Sequence, residues 1–262
     1  MKNMMVANLS KHKRYSFENT DLMLKAQIEN SLELGWSPGD IWLITNFDYE
    51  FMGVKAIQSE LNEKCLTGSK MFGMRFLYRE GYLKDEMVWS HDLDAWQNAP
   101  FTFPVFKDVG VACYSNSKYN GGSMFWKESA GDIIENIAGL IESNKENKEE
   151  PTLNRVLKSK EYSPRVTNVN NTFNVGCSGY VVRYNKSEKP IRVCHFHPYN
   201  NIAWETHALD RNGLDVKGIS DRLEKVIRKY YPKVATELCS DGKKAQQDRK
   251  AKRLLAQQQS TI

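Results

Sequence analysis

The order of apolar segments near the N-terminus constrains the fold of this chain more than any other feature of its sequence. Met4–Leu9 is a short apolar run typical of a strand, and Asn19–Leu34 follows it with apolar residues at helical spacing. Gly35 and the turn sequence Ser37–Asp40 come next, and Ile41–Thr45 is a compact apolar run that suits a buried strand. A strand, a helix and a strand in this order predict a parallel α/β unit.

Strands and helices continue to alternate through the rest of the chain. We predict an α/β fold in which residues 1–240 form one domain, with a helical extension at its C-terminal end, and residues 241–262 form a basic polar tail. The predicted helices are Val54–Glu63, Lys70–Tyr78, Ile133–Ile141, Pro151–Leu157 and Ile219–Tyr230. The predicted strands are Glu86–Ser90, Val109–Tyr114 and Met124–Trp126, with a hairpin formed by Val181–Tyr184 and Ile191–Phe196.

Composition argues against several classes of protein. Hydrophobic residues make up 40 % and charged residues 26 % of the chain, which is the balance of a globular protein. No window approaches the roughly 18 consecutive apolar residues of a membrane helix, and the N-terminal apolar patch is too short for a signal peptide. The five cysteines are scattered and lack CxxC pairing, which argues against a disulfide framework or a structural zinc site. We therefore expect a soluble cytoplasmic protein with no membrane partner.

The formal net charge is +5, and part of it lies in the tail. Such a basic run can attract phosphate backbones, but it is also typical of a solvated helix end or a frayed terminus. Both interpretations stay open for the tail, whose charged residues are Asp241, Lys243, Lys244, Asp248, Arg249, Lys250, Lys252 and Arg253.

The strongest chemical signal is the segment Val88–Gln97, where an apolar strand ends in two carboxylates. Asp92 and Asp94 are separated by one residue, and in an extended backbone residues two apart project to the same side. Ligands of open α/β sheets bind at the carboxyl edge of the strands, and two hard oxygen ligands suit Mg²⁺ or Mn²⁺. The segment therefore predicts a metal and diphosphate site, although an isolated acidic pair is more often a solvated turn or a helix cap.

This segment resembles the DxD motif of GT-A fold glycosyltransferases, small bacteriophage-type sugar transferases among them. The resemblance implies a Rossmann-like, mostly parallel central sheet flanked by helices, a nucleotide-sugar donor such as a UDP-sugar, and Mn²⁺ or Mg²⁺ bridging its phosphates. It makes Asp92 and Asp94 metal ligands, Asp92 also a donor contact and Asp94 a catalytic residue.

Two further segments follow in the order that this resemblance implies. Asn120, Gly121 and Gly122 resemble the element that lines the sugar and acceptor side of these enzymes, although paired glycines also form tight turns. Glu149 and Glu150 resemble the acidic residues before a Leu-Asn-containing helix, where one carboxylate serves as the base in inverting enzymes. The alternative is a helix N-terminus rich in acids, which the helix dipole favours.

The segment around His195 resembles the final strand of several GT-A families, in which a histidine is the third metal ligand. The resemblance makes His195 the ligand, with His197 as second choice, and places Trp204 in a loop over the donor. This sequence lacks the usual Lys-Pro-Trp and has Ile202-Ala203-Trp204 instead. A histidine in a predicted strand can equally be structural.

Polar residues at the ends of predicted strands complete the candidate donor contacts. Asn8 follows the first strand, and Asn46 and Asp48 follow the second, at the edge where ligands bind. Lys70 could approach a phosphate, although a solvated lysine is the more ordinary role.

The sequence thus predicts a metal-dependent glycosyltransferase that moves a hexose or a pentose such as arabinose. Its acceptor is open: a 5-hydroxymethylated pyrimidine in duplex DNA, a glycan or a protein. The alternatives are a nucleotidyltransferase, whose usual glycine-rich basic loop is not matched by Ser10–Arg14, and a non-catalytic nucleic-acid-binding protein. Nothing in the residues indicates the oligomeric state or whether the sugar is transferred with inversion or retention.

Overall fold

The computed structural model describes residues 1–10, 16–61, 66–115, 118–143, 148–176, 184–196 and 219–231. The helices are α1 (Phe17–Glu33), α2 (Ser69–Arg79), α3 (Gly131–Ser143), α4 (Glu149–Leu157) and α5 (Asp221–Tyr230). The strands are β1 (Lys2–Ala7), β2 (Ile41–Thr45), β3 (Glu50–Phe51), β4 (Val54–Lys55), β5 (Ile57–Gln58), β6 (Met87–His91), β7 (Ala95–Gln97), β8 (Val109–Ser115), β9 (Lys118–Lys127), β10 (Val166–Val169), β11 (Val175–Gly176) and β12 (Val193–His195).

Seven strands form the central sheet in the order β10-β8-β9-β6-β1-β2-β5. All neighbours in this sheet are parallel except β9, which runs antiparallel to both β6 and β8. The predicted α/β fold with a mostly parallel central sheet is therefore confirmed. Because β1, β2 and β6 are parallel, their carboxyl ends meet at one edge of the sheet, and that edge carries the candidate site.

The apolar runs of the central strands follow from burial on both faces. On β1, Met4 packs in the cluster that includes side chains of α2, α3 and α4, whereas Met5 packs with α1. On β2, Ile44 and Leu43 divide between the same two clusters. Successive side chains of a strand point to opposite faces, so a sheet covered by helices on both sides needs apolar residues at every position.

A second, three-stranded sheet in the order β11-β12-β7 lies beside the central one. Its strand β12 runs antiparallel to β7 and parallel to β11. Helix α5 packs against α1, and its N-cap Ser220 accepts a hydrogen bond from the backbone of Leu223. This small sheet connects the C-terminal part of the chain to the segment that follows β6.

One predicted element is wrong, and another lies mostly outside the described residues. The predicted helix Val54–Glu63 is wrong, because β4 pairs with β3 around a two-residue turn and β5 joins the edge of the central sheet beside β2. Met52 and Gly53 both have positive φ in that turn (49° and 79°), which is the conformation of tight hairpins. The predicted hairpin partner Val181–Tyr184 falls almost wholly outside the described residues, and β12 pairs with β7 and β11.

None of the helices in the described part of the chain has the length and apolar character needed to cross a membrane.

We predict opposite effects for alanine at two helical glycines. A Cβ on Gly73 of α2 would lie 2.8 Å from Val6 Cγ2 and 3.0 Å from Met4 Cε, because α2 packs closely on β1. A Cβ on Gly139 of α3 meets no other described heavy atom within 4 Å beyond its own helix turns. Gly73→Ala should therefore lower the free energy of unfolding by about 1–2 kcal/mol through overpacking, and Gly139→Ala should raise it by about 0.5–1 kcal/mol.

Urea unfolding of both variants and of the parent protein measures these changes. Equal stabilisation by the two substitutions would contradict the close packing of α2 on β1.

Candidate active site

A tight turn directly after β6 carries the two aspartates. The backbone N–H of Asp92 donates to the carbonyl of Gly122 on β9 at 2.9 Å, and the N–H of Ala95 donates back to the carbonyl of Asp92 at 2.9 Å. Asp92 and Asp94 therefore do not lie on one extended strand, as the sequence analysis assumed. They converge because the chain turns between β6 and β7.

His195 joins the aspartates through the pairing of β12 with β7. His195 lies opposite Ala95 in this pairing, and the next residue, Phe196, donates its N–H to the carbonyl of Asp94 at 2.7 Å. His195 Nε2 consequently lies 3.3 Å from Asp94 Oδ1 and 3.7 Å from Asp92 Oδ2. The pairing of two short strands thus places one imidazole nitrogen beside two carboxylates that are distant from it in sequence.

These three side chains fit a divalent metal ion. Each offers one ligand atom, and the three atoms lie within 4.8 Å of one another. Asp94 and His195 are 8 % and 7 % exposed, whereas the Asp92 side chain is 37 % exposed toward the cavity, and a cation among the three would offset the repulsion between the carboxylates. Carboxylate oxygens suit Mg²⁺ and Mn²⁺, and an imidazole nitrogen is the commonest protein ligand of transition metals.

Two glycines make room for His195. A Cβ on Gly122 would lie 2.2 Å from His195 Cε1, and a Cβ on Gly176 would lie 2.1 Å from the His195 carbonyl oxygen. Both distances are far below van der Waals contact, so a side chain at position 122 would displace the imidazole and one at position 176 would displace the backbone of His195. Gly121 and Gly122 lie within β9, and the tight-turn interpretation of these glycines is wrong.

Lys70 supplies a buried positive charge behind the aspartates. Its Nζ lies 2.5 Å from Asp92 Oδ1, 2.5 Å from the Gly121 carbonyl oxygen and 3.3 Å from Glu149 Oε1. Burial alone would lower the pKa of Lys70, but the charges of Asp92 and Glu149 outweigh this effect and raise that pKa above its ordinary value. The lysine is therefore charged and holds Asp92 in place; it is not the solvated side chain that was the ordinary expectation.

The two glutamates begin α4 and face the same region. Burial raises the pKa of the Glu149 carboxyl, and the ion pair with Lys70 offsets this only in part because Asp92 and Glu150 add negative charge. Glu150 Oε2 accepts a hydrogen bond from Asn120 Nδ2 at 3.3 Å. Glu149 and Glu150 therefore both begin a helix and line the cavity, so the two interpretations of these acids are compatible.

A cavity of about 560 Å³ adjoins these groups at the carboxyl edge of the sheet. Most of the residues predicted to form the site line it together: Asn8, Lys70, Asp92, Asp94, Asn120, Gly121, Gly122, Glu149, Glu150 and His195.

Two predicted residues that the structure describes, Asn46 and Asp48, are not part of this wall. Asn46 exchanges hydrogen bonds with the backbone of Leu9, and Asp48 is exposed and accepts from Gln58, so neither is among the described residues that line the cavity. Asn46 connects the ends of β1 and β2 and thereby shapes the edge indirectly. His197 and Trp204 lie outside the described residues.

His91 is a component of the site that the sequence analysis did not assign. It is 1 % exposed, stacks on Trp89 with ring centroids 4.1 Å apart, and its Nδ1 lies 2.9 Å from the Asp92 carbonyl oxygen. Its Nε2 lies 2.8 Å from Asn3 Oδ1 on β1. Burial lowers the pKa of His91 to about 4, so at neutral pH the imidazole is uncharged and carries one N–H, which it can donate in only one of these two contacts. The ring packs against the start of the turn.

The fold is that of the GT-A class of glycosyltransferase structures. A mixed α/β domain ends its central strands at a cavity, and an Asp-x-Asp turn with a histidine from a later strand forms one wall. The sequence-based resemblance to this class is thus confirmed for the fold. The sequence matches no protein-family model, and no curated protein matches it either.

Solved structures with this fold include three glycosyltransferases. The glycosyltransferase GlyE of Streptococcus pneumoniae TIGR4 is 13 % identical with a TM-score of 0.53, over 92 % of this chain and 63 % of the GlyE chain. The galactosyltransferase LgtC, solved with donor and acceptor sugar analogues, is 12 % identical with a TM-score of 0.53, over 87 % of this chain and 96 % of that one. The bifunctional glycosyltransferase WbbM is 9 % identical with a TM-score of 0.55, over 90 % of this chain and 51 % of that one.

This chain thus spans less than two thirds of GlyE and about half of WbbM, but nearly the full length of LgtC. At such low identities the shared property is the fold.

We predict that folding stability decreases in acid because of His91. The unfolded chain binds a proton on this imidazole near its ordinary pKa of 6.5, whereas the folded protein binds it only near pH 4. The free energy of unfolding should therefore fall as pH decreases from 6.5 to 4, by about 3 kcal/mol in total from this residue.

Urea unfolding of the metal-free protein between pH 7 and pH 4 measures this loss. His91→Gln, which does not titrate, should show a shallower pH dependence, and the carboxylates that both proteins share cancel in the comparison. Parallel curves for the two proteins would contradict a neutral buried imidazole.

Proposed function

We propose that this protein is a metal-dependent glycosyltransferase that transfers a sugar from a nucleotide-sugar donor to an acceptor hydroxyl. The observation that carries the proposal is the cluster of Asp92, Asp94 and His195 on the wall of a cavity at the carboxyl edge of a GT-A fold. Fold alone does not imply function. This cluster, however, has ligands suited to the divalent cation that would neutralise a donor diphosphate.

Asp92, Asp94 and His195 would hold Mn²⁺ or Mg²⁺. When bound, the ion acts as a Lewis acid that stabilises the negative charge developing on the nucleoside diphosphate leaving group. Lys70 orients Asp92 through their ion pair and keeps one positive charge in this wall at all times. The donor proposed here is a UDP-sugar, with Asn8 at the end of β1 as a contact for its nucleoside.

Asn120, Gly121 and Gly122 form the wall toward the sugar and the acceptor, next to the two glutamates. In an inverting reaction a carboxylate takes the proton of the attacking hydroxyl. Glu149 is the proposed base, because its raised pKa gives the ionised carboxylate more affinity for a proton. In a retaining reaction no such base is required, and the anomeric configuration of the product distinguishes the two cases.

The acceptor is a separate question. A 5-hydroxymethylated pyrimidine in duplex DNA is proposed from the net charge of +5 and the basic tail, whereas a glycan or a protein acceptor needs no basic face. The described cavity wall does not itself favour a polyanion, since Asp92, Asp94, Glu149 and Glu150 outnumber the two lysines that line it, Lys70 and Lys148. A DNA acceptor would therefore depend on cations elsewhere in the chain.

We predict that Asp94→Asn abolishes the metal response and the transfer reaction. In the parent protein, UDP-sugars should raise the melting temperature only when Mn²⁺ is present, and mass spectrometry should detect sugar transfer to an added acceptor. Removing one ligand charge should lower the transfer rate at least about 100-fold. The matched control is Asp85→Asn, an exposed residue with φ of 59°, a conformation that asparagine adopts readily.

A protein with Asp94→Asn that kept its Mn²⁺-dependent shift and its activity would contradict the proposal. Release of pyrophosphate from a nucleoside triphosphate would identify a nucleotidyltransferase. Nucleic-acid binding with no response to any nucleotide sugar or metal would identify a non-catalytic binding protein.

We predict a steep salt dependence if DNA is the acceptor. Affinity for a hydroxymethylated duplex should fall linearly with salt on logarithmic axes, because each neutralised phosphate releases a counterion. Fluorescence anisotropy between 20 and about 200 mM salt measures the slope. No binding to the duplex at low salt would direct the search to glycan or protein acceptors.

A further inference from the structure

Behind His195, at the ring nitrogen that does not face the aspartates, lies a chain of buried amides. His195 Nδ1 lies 3.2 Å from Asn174 Oδ1, and Asn174 Nδ2 donates to Asn120 Oδ1 at 2.7 Å. Asn174 and Asn120 are 2 % and 7 % exposed. In such a poorly solvated place each donor must face an acceptor, so the direction of every hydrogen bond is informative.

The orientation of the Asn120 amide is fixed by one neighbouring group that can only donate a hydrogen bond and another that accepts one. The backbone N–H of Gly122, which can only donate, lies 3.0 Å from Asn120 Oδ1. The other end of the amide, Nδ2, faces the Glu150 carboxylate, which accepts. The atom of Asn120 that points toward Asn174 is therefore its oxygen.

The orientation of the Asn174 amide follows from that of Asn120. Asn174 Nδ2 lies 2.7 Å from Asn120 Oδ1 and 3.4 Å from the Asn120 backbone oxygen, and both of these atoms accept. The oxygen of Asn174 must then be the atom at His195 Nδ1. Because an amide oxygen only accepts, the hydrogen bond requires a proton on Nδ1.

We propose that Asn174 is a positioning residue that keeps a proton on His195 Nδ1 and so leaves Nε2 to face Asp92 and Asp94 as a ligand atom. The ligand role of Nε2 rests on the proposed function, whereas the proton on Nδ1 does not. Partners of this kind behind a ligating histidine fix its tautomer and ring orientation. The hydrogen bonds run from His195 through Asn174 and Asn120 to Glu150. They therefore connect the proposed metal ligands with the glutamates that face the proposed acceptor.

The fold places Asn174 where this role requires it. Asn174 directly precedes β11, in which Val175 pairs with Cys194 and Gly176 pairs with His195. The close approach at Gly176, where a Cβ would lie 2.1 Å from the His195 carbonyl oxygen, brings the two backbones together. The same strand pairing thus sets both the position of the imidazole and the position of its amide partner.

The first measurement is the protonation of His195 in protein labelled with ¹⁵N-histidine, without metal and with Mg²⁺. The chain has five histidines, and His195→Gln identifies the signals of this one by their loss. We expect a proton on Nδ1 in the parent protein. Asn174→Leu, similar in size but without an acceptor, should lose this preference.

The second measurement is the affinity for Mn²⁺ in the absence of substrate. The electron paramagnetic resonance signal of free Mn²⁺ reports how much of the ion is bound. Asn174→Leu should weaken binding about 10-fold to 100-fold, the usual effect of removing a partner of a metal-ligating histidine. The matched control is Asn136→Leu on α3, whose amide donates to the Tyr162 hydroxyl and which is not among the described residues that line the cavity. It should bind Mn²⁺ as the parent does.

Several outcomes would overturn the inference. A His195 that carries its proton only on Nε2 contradicts the assigned orientation of Asn174, and this result needs no substitution at Asn174. An Asn174→Leu protein that keeps both the Nδ1 proton and the parent's Mn²⁺ affinity contradicts the positioning role. If the parent binds no Mn²⁺ while the Nδ1 pattern holds, the metal part of the proposed function fails and the assignment of Asn174 stands.

Discussion

The ion pair between Lys70 and Asp92 is the interaction on which the rest of this site depends. Asp92, Asp94, Glu149 and Glu150 line one cavity, and like charges in a poorly solvated place repel strongly. Lys70 is 6 % exposed and contacts Asp92, Glu149 and the Gly121 carbonyl oxygen. One buried ammonium thus joins α2, the turn after β6, β9 and α4, which are four of the elements that form the wall. A cation between Asp92, Asp94 and His195 would complete a charge balance that the protein achieves only in part alone.

The fold was predictable where the sequence carries a simple periodicity. The buried strands β1, β2 and β6 read as apolar runs because both faces of the sheet are covered, and α1, α2 and α3 show helical spacing because one side faces that sheet. The segment after Phe51 was predicted wrongly as a helix. Its short strands depend on the turn at Met52-Gly53 and on pairing with β2. The spacing of apolar residues along the sequence reveals neither the turn nor the pairing.

The candidate site was predictable where chemistry lies beside an element boundary. Asp92 and Asp94 directly follow an apolar strand, and Glu149 and Glu150 begin a helix, so local sequence locates them. Asn174 and His91 also lie at strand boundaries, but nothing in the neighbouring sequence shows what their side chains contact. Their roles depend on the pairing of β11 with β12 and on the contact of β6 with β1, which connect residues far apart in the chain. Asn46 and Asp48 lie at the predicted edge of the sheet but do not line the cavity. A position at that edge therefore does not decide which groups a side chain contacts.

The metal cluster exists only when distant segments have paired. Asp92 and Asp94 precede β7, His195 ends β12, and the antiparallel pairing of these two strands is what brings the three side chains together. The unfolded chain cannot offer the same ligand set, so a divalent ion would bind the folded state selectively and add to its stability in proportion to its occupancy. The repulsion among the carboxylates acts in the opposite direction and weakens the metal-free protein. Metal affinity and the stability of the folded state therefore both depend on the pairing of β12 with β7. The short sheet β11-β12-β7 is the part of the fold that contributes to both.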